Sequence, residues 1–238
     1  MKGAAAVPAP RLLLYVFTAA SFAFLMLPML IVFPLAFSSA PYLQFPPPGW
    51  SLQWFERFFS DPVWIESALR SAQAAAATSL LSLAVGSPLA FSLVRGRFPG
   101  RRMIERLTMA PMIIPTIVMS VAVYSLFSRM QLIGSLPGLI VAHTVLALPF
   151  VFVIMSAGFR GLDRTLEQAA SGLGANRWVI LWRVILPQVR PSLVSAGLLA
   201  FITSFDELVI AMFVVGTKMT LPLKMFDNIR VEVDPTIA

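Results

Sequence analysis

Five apolar stretches, at about residues 12–37, 68–94, 107–127, 136–157 and 192–215, dominate this chain. Each is long enough to cross the hydrocarbon of a bilayer, which takes about 20 residues of helix. No water is available there to satisfy a backbone, so the stretches are expected to close their hydrogen bonds internally, as helices. The fold expected is therefore an all-α membrane protein with five transmembrane helices. Composition agrees: 58% of the 238 residues are hydrophobic and only 12% are charged, too little polar surface for a soluble core. The first stretch competes with a signal peptide, because residues 38–40 resemble a cleavage site. Its apolar run exceeds the usual region of about 7–15 residues, so it is read as a transmembrane helix. Small residues over 72–77 permit close helix contacts in the second. Pro111 and Pro115 interrupt the third, and such interruptions need neighbouring helices or water, as in a packed bundle with a cavity or moving parts.

A formal charge of +7 could suggest nucleic acid, but the basic residues fall between the apolar stretches and not in one patch, so no nucleic-acid partner is expected. They read as topology signals. With the N-terminus in the cytoplasm, the inner segments hold Lys2, Arg11, the cluster Arg95, Arg97, Arg101, Arg102 and Arg106, and then Arg160, Arg164, Arg177, Arg183 and Arg190. The outer ones hold Arg57, Arg70, Arg129, Lys218, Lys224 and Arg230. This two-to-one bias follows the positive-inside rule and places residues 158–191 inside. On the outer side Pro46, Pro47, Pro48 and Gly49 stop any helix. Ser51 can cap a short one whose Trp54, Phe55, Phe58 and Phe59 share a face, lying in the membrane interface or capping the bundle. The chain has no cysteine, so no disulfide or thiolate chemistry is expected.

The inner segment carries the most informative stretch, LEQAASGLGANRWVILWRVILP over 166–187. Leu166, Ala169, Ala170 and Leu173 recur at helical spacing, Asp163 or Thr165 can supply the N-cap, and Gly174 ends the helix. The two alanines keep one face shallow, so another protein can approach the backbone, while Glu167 offers a charge at the edge. Glu167, Ala169-Ala170, Gly174 and, ten residues on, Val184-Ile185-Leu186-Pro187 resemble the EAA loop of permease subunits of bacterial binding-protein-dependent ABC importers. Two positions depart from that pattern: Gln168 precedes the alanines, and Val184 stands for Ile. The resemblance implies a MetI-like permease bundle over 1–238 in the bacterial inner membrane. It makes 158–191 the cytoplasmic coupling loop, whose Glu167, Ala169, Ala170 and Gly174 dock in a cleft of an ATP-binding-cassette ATPase dimer. Its further partners are a second permease subunit, a periplasmic substrate-binding protein and the lipid bilayer. It also implies a sixth helix that is missing here, because residues 216–238 read as an outer segment ending near Asp234, where that helix would begin.

No catalytic constellation is present, so the chain is not expected to be an enzyme. A phosphate-binding loop is absent too, since Gly216-Thr217-Lys218 lacks the preceding glycine. No cofactor is expected in this chain, and the resemblance assigns ATP and Mg to the partner ATPase. His143, the only histidine, has no second histidine or cysteine for a metal site and is read as a hydrogen-bonding group between helices, or as a pH sensor or substrate contact. Asp206 and Glu207 lie about midway along the fifth stretch, and carboxylates at that depth need water, a cation or a donor. Successive helical residues point about 100° apart, so one is expected to face a translocation path and the other a neighbouring helix. Phe205, Tyr124 or Phe213 can line that path. Phe205-Asp206-Glu207, with Gly216 and Leu221-Pro222-Leu223 after it, is similar to permeases of spermidine/putrescine importers. The resemblance thus implies polyamine transport driven by the partner ATPase. The alternatives are an ABC permease for ferric iron, opines or another organic solute, and a proton-coupled secondary transporter using Asp206, Glu207 and His143 as a relay.

Overall fold

The structure is a computed structural model that describes residues 9–231 and 235–237, and helices are the regular secondary structure of the described residues, with one isolated bridge between Ser38 and Trp50. Asp234, the expected start of a sixth helix, and Lys2 lie outside the described residues. In chain order the helices are α1 (Ala9–Leu35), α2 (Gln53–Ser60), α3 (Pro62–Arg95), α4 (Arg101–Ile113), α5 (Thr116–Arg129), α6 (Leu136–Arg160), α7 (Arg164–Gly172), α8 (Arg177–Ile180), α9 (Leu186–Phe205), α10 (Val209–Val214) and α11 (Leu221–Val231). Four helical segments are long and apolar enough to cross a membrane, or five if α4 and α5 together make one. Their contacts group the chain in two units, one of them Val63–Lys224.

In the other unit, α1 leaves its apolar side chains exposed nearly throughout, from Leu13 to Phe33. The chain after it folds back on itself: the Ser39 N–H donates to Gly49 O at 3.0 Å and the Ser51 N–H to Phe37 O at 2.8 Å. The indole of Trp54 on α2 donates to Ser38 O at 2.7 Å. Trp54 is buried by that bond while Phe55 and Phe59 stay exposed, so the aromatic face expected for α2 is split between a structural anchor and an open surface.

The larger unit is built on α6 and α9, which pack side by side with α3 against both. Its core joins Ala90 and Leu93 of α3, Ala147, Val151, Phe152 and Met155 of α6, and Val189, Ala196 and Ala200 of α9. Small residues permit the close approach. A Cβ on Gly86 of α3 would lie 2.7 Å from Val151, and one on Gly158 of α6 would collide with Ser192 of α9. The Ser79 hydroxyl donates to Gly197 O at 2.7 Å, tying α3 to α9. Overpacking such a contact costs about 1–3 kcal/mol. Gly158→Leu is therefore expected to cut the amount of protein recovered in membranes. Gly161→Ala, where a Cβ meets only backbone oxygens at 3.6 Å or more, should leave it unchanged, as immunoblots of membrane fractions would register.

Three expected boundaries are corrected. The third stretch, read as one span over 107–127, is the pair α4 and α5, bent by 107°. Pro115 makes the bend: a residue before proline avoids the helical region, and Ile114 is extended at φ −77°, ψ 127°. Pro111 stays inside α4 without ending it. The fifth stretch, expected as a continuous span over 192–215, begins earlier and is broken. Arg177–Phe205 is one helical segment, with a wide π-type turn over Leu181–Ile185 in which the Leu186 N–H reaches back to Leu181 O. Pro187 follows directly after that wide turn and stays within the segment, so Val184 to Pro187 belong to the helix and not to the 158–191 loop. The same segment then stops at Phe205, and α10 starts at Val209. Finally, the outer segment read over 216–238 contains the 11-residue helix α11.

Candidate functional site

The sequence-predicted coupling residues sit on one small helix with its apolar side turned outward. Asp163 caps α7 by accepting from the Thr165 N–H at 2.9 Å, and that bond holds its carboxyl below the ordinary range, so the cap is ionised at neutral pH. The helix ends at Gly172, and Gly174 follows at φ +83°, a left-handed conformation open to glycine at no steric cost. The Ala175 N–H returns to Ala170 O at 3.0 Å. None of the residues of α7 is buried. Leu166 is 48% and Leu173 89% exposed, and Trp178 just beyond is 71% exposed. Ala169 is exposed and Ala170 half-buried. Between α7 and the start of the next helix lies a groove of about 620 Å³ lined by Phe91, Glu167, Gln168, Ser171, Arg177, Trp178 and Leu181 among others. Leucine and tryptophan exposed around one groove mark a surface made for a partner.

Glu167 has a second attachment that sequence reading missed. Its Oε1 accepts from Arg95 Nη2 at 2.7 Å, with the side chains 26% and 13% exposed. Arg95 ends α3, so a half-buried ion pair clamps α7 to a helix that crosses the whole bundle. The signal was present only as one member of an arginine cluster, and nothing in the spacing singled out Arg95 from Arg97 or Arg101.

The second region is the break between α9 and α10. The Asp206 N–H still bonds Ile202 O at 3.0 Å, closing α9, after which the two carboxylates part company. Glu207 turns inward: Oε1 accepts from the Val209 N–H at 3.2 Å, and Oε2 from the Ile210 and Ala211 N–H groups at 2.8 and 3.2 Å. It thereby satisfies donors that a helix start otherwise leaves unpaired. Its side chain is 8% exposed, and His143 Nε2 of α6 lies 3.8 Å from Oε2. Asp206 is exposed, and its carboxylate has no hydrogen bond or ion pair among the described residues. Both acids line a cavity of about 450 Å³ whose other walls are Pro111, Met112, Ile114 and Thr116 from the α4–α5 bend, Leu146 and Phe150 of α6, and Thr203, Leu208 and Val209. Two interrupted spans thus meet at one cavity. Irregular backbone at membrane depth is tolerated where it is packed in protein or lines a cavity, and a carboxylate at that depth needs water, a cation or a donor beside it.

Phe205 and Tyr124 do not join this cavity. Phe205 stacks on Phe201 at 5.8 Å and Tyr124 meets Phe213 edge-on at 6.4 Å. The apolar lining falls instead to Phe150 and Leu146, which no sequence pattern marked, and to the bend residues around the interruption expected at Pro111 and Pro115.

Residues 82–229 match the family described as binding-protein-dependent transport system inner membrane component, a range that includes both α7 and the α9–α10 break. The spermidine/putrescine transport system permease protein PotC of Haemophilus influenzae is 33% identical over 218 residues, covering 91% of this chain and 84% of its own length. The putrescine transport system permease protein PotI of Escherichia coli K12 is 32% identical over 224 residues, covering 91% and 79%. A solved bacterial ABC transporter involved in the import of the acidic polysaccharide alginate has a chain of the same fold, with a TM-score of 0.75 at 20% identity, covering 96% of this chain and 83% of its own.

Proposed function

The chain belongs to the family of binding-protein-dependent transport system inner membrane components, and from that premise we propose that it is the permease subunit of an ABC importer that carries polyamines across the bacterial inner membrane. A second permease completes the path, a periplasmic binding protein delivers the solute, and an ATPase dimer holding ATP and Mg²⁺ seats the exposed face of α7 from the cytoplasm, where the N-terminus also lies. Glu167, Ala169, Ala170 and Gly174 shape that seat. Closure of the ATPase dimer moves α7, and the motion passes to α3 through Arg95 and to α9 through α8.

The observation that carries the substrate is Asp206, an exposed carboxylate without a partner among the described residues on the wall of the cavity. The fold alone is shared with an importer of an acidic polysaccharide, so fold does not select a cation. A carboxylate in a partly dry path does, because attraction between opposite charges is strengthened where water is scarce. The relatives that carry spermidine and putrescine agree with it. The test is uptake of labelled putrescine and spermidine by proteoliposomes holding the complete importer. Uptake that requires ATP and survives collapse of the proton gradient is expected. Uptake driven by the proton gradient without an ATPase would overturn the ABC assignment, and ATP-driven uptake of ferric iron or an opine in place of polyamines would overturn the substrate.

A further inference from the structure

His143 is the most deeply buried polar ring of the larger unit, 1% exposed, and the proposed transport cycle leaves it without a role. It stands on α6 opposite the α9–α10 break. Its Nδ1 is 2.8 Å from Ser204 Oγ, on the last turn of α9, and its Nε2 is 3.8 Å from Glu207 Oε2, which caps α10. Only Phe205 and Asp206 lie between these two attachments. Nε2 makes no hydrogen bond. A lone pair there would face the carboxylate's own lone pairs, whereas an N–H would be attracted to it. The favoured tautomer therefore carries its proton on Nε2 and accepts the Ser204 hydroxyl at Nδ1.

From this geometry we infer that His143 is a positioning residue that ties the last turn of α9 to α6 beside the Glu207 cap and so holds Asp206 toward the cavity. It touches no solute itself. Among the described residues no other side chain of α6 bonds the last turn of α9 while standing beside the Glu207 cap. Removing the ring frees Ser204 and opens space beside the Glu207 cap, and the carboxylate of Asp206 loses its fixed place on the wall. A site that is present but loosely held loses affinity before it loses folding.

The inference rests on Asp206 being the solute contact, and the experiment separates the two. His143→Ala, His143→Asn, His143→Gln and Ser204→Ala are made in the complete importer, each with Asp206 intact and with Asp206→Asn, and the KM and maximal rate of putrescine uptake are measured per assembled complex. His143→Ala is expected to raise KM roughly tenfold with Asp206 intact and to add no further change beside Asp206→Asn, because a residue acting through another has nothing to position once that one is gone. Asn places a polar atom near the Nδ1 position and should recover part of the loss. Gln reaches the Nε2 position, so comparison of the two assigns the grip to Ser204 or to Glu207. Should His143→Ala not accumulate in membranes, the Asn, Gln and Ser204→Ala proteins carry the same comparison. An unchanged KM in these variants, or an equal added loss in both backgrounds, overturns the positioning role while leaving Asp206 as the solute contact. A wild-type KM for Asp206→Asn alone overturns the solute contact, and the positioning role with it.

Discussion

Replacing Asp206 with asparagine is expected to lower ATP-driven polyamine uptake about 10- to 100-fold, since a hydrogen bond to a charged group contributes about 1.5–3 kcal/mol and each 1.4 kcal/mol is tenfold. The amount of protein in the membrane should not change. Asparagine has nearly the same shape, and the Asp206 side chain is exposed with no partner to lose among the described residues. The neighbouring acid predicts the opposite pattern. Glu207 accepts three backbone N–H groups at the start of α10 and is 8% exposed, so Glu207→Ala strands buried donors at about 1–3 kcal/mol each. That loss appears first as less protein in the membrane and only then as less transport. Quantitative immunoblots beside uptake per milligram of membrane protein distinguish the two. Unimpaired uptake by Asp206→Asn would remove the electrostatic basis for a cationic solute.

That contrast between adjacent acids was not legible in the sequence, and the reason is physical. On an unbroken helix Asp206 and Glu207 differ only by rotation about the axis, so either could face the path. The helix ends at Phe205, and once it ends, their surroundings differ in kind. One acid closes the next helix start, and the other is left on the cavity wall. Proline shows the same dependence on context. Pro111 and Pro115 both read as interruptions, yet only Pro115 sits at a sharp bend, because the residue before it adopts an extended backbone. Pro187 stays inside the Arg177–Phe205 helical segment, so the helix starts within the stretch read as the inner loop. The long apolar stretches, by contrast, were legible, because length and hydrophobicity alone decide whether a helix can span. The motif helix was legible too: Asp163 caps α7 and Gly174 ends it in a left-handed conformation, both local properties of short sequence. Arg95 and Glu167 lie 72 positions apart, and local patterns carry no information about such a pair.

The largest effect outside the solute path is expected at Gly174. Its φ of +83° is left-handed, and a Cβ built there meets nothing within 4 Å. A substitution is therefore opposed by the backbone alone, at about 1–2 kcal/mol for an ordinary L residue. That is too little to unfold the bundle but enough to change the path of the chain between α7 and α8. Gly174→Val, with a β-branched side chain least able to hold positive φ, should turn the exposed Leu166, Leu173 and Trp178 out of register with one another. An importer carrying it is expected to assemble and hydrolyse ATP while uptake falls at least about tenfold, the signature of a lost interaction that acts in the coupled step. Asparagine enters the left-handed region far more readily than valine, so Gly174→Asn should keep uptake within about threefold of the native protein. The ratio of putrescine transported to ATP hydrolysed, measured for both proteins in the same liposomes, decides the matter. If valine and asparagine behaved alike, the left-handed turn would have no part in coupling. If valine abolished ATP hydrolysis and transport together, α7 would be needed for assembly of the importer and not for transmitting the motion of the ATPase.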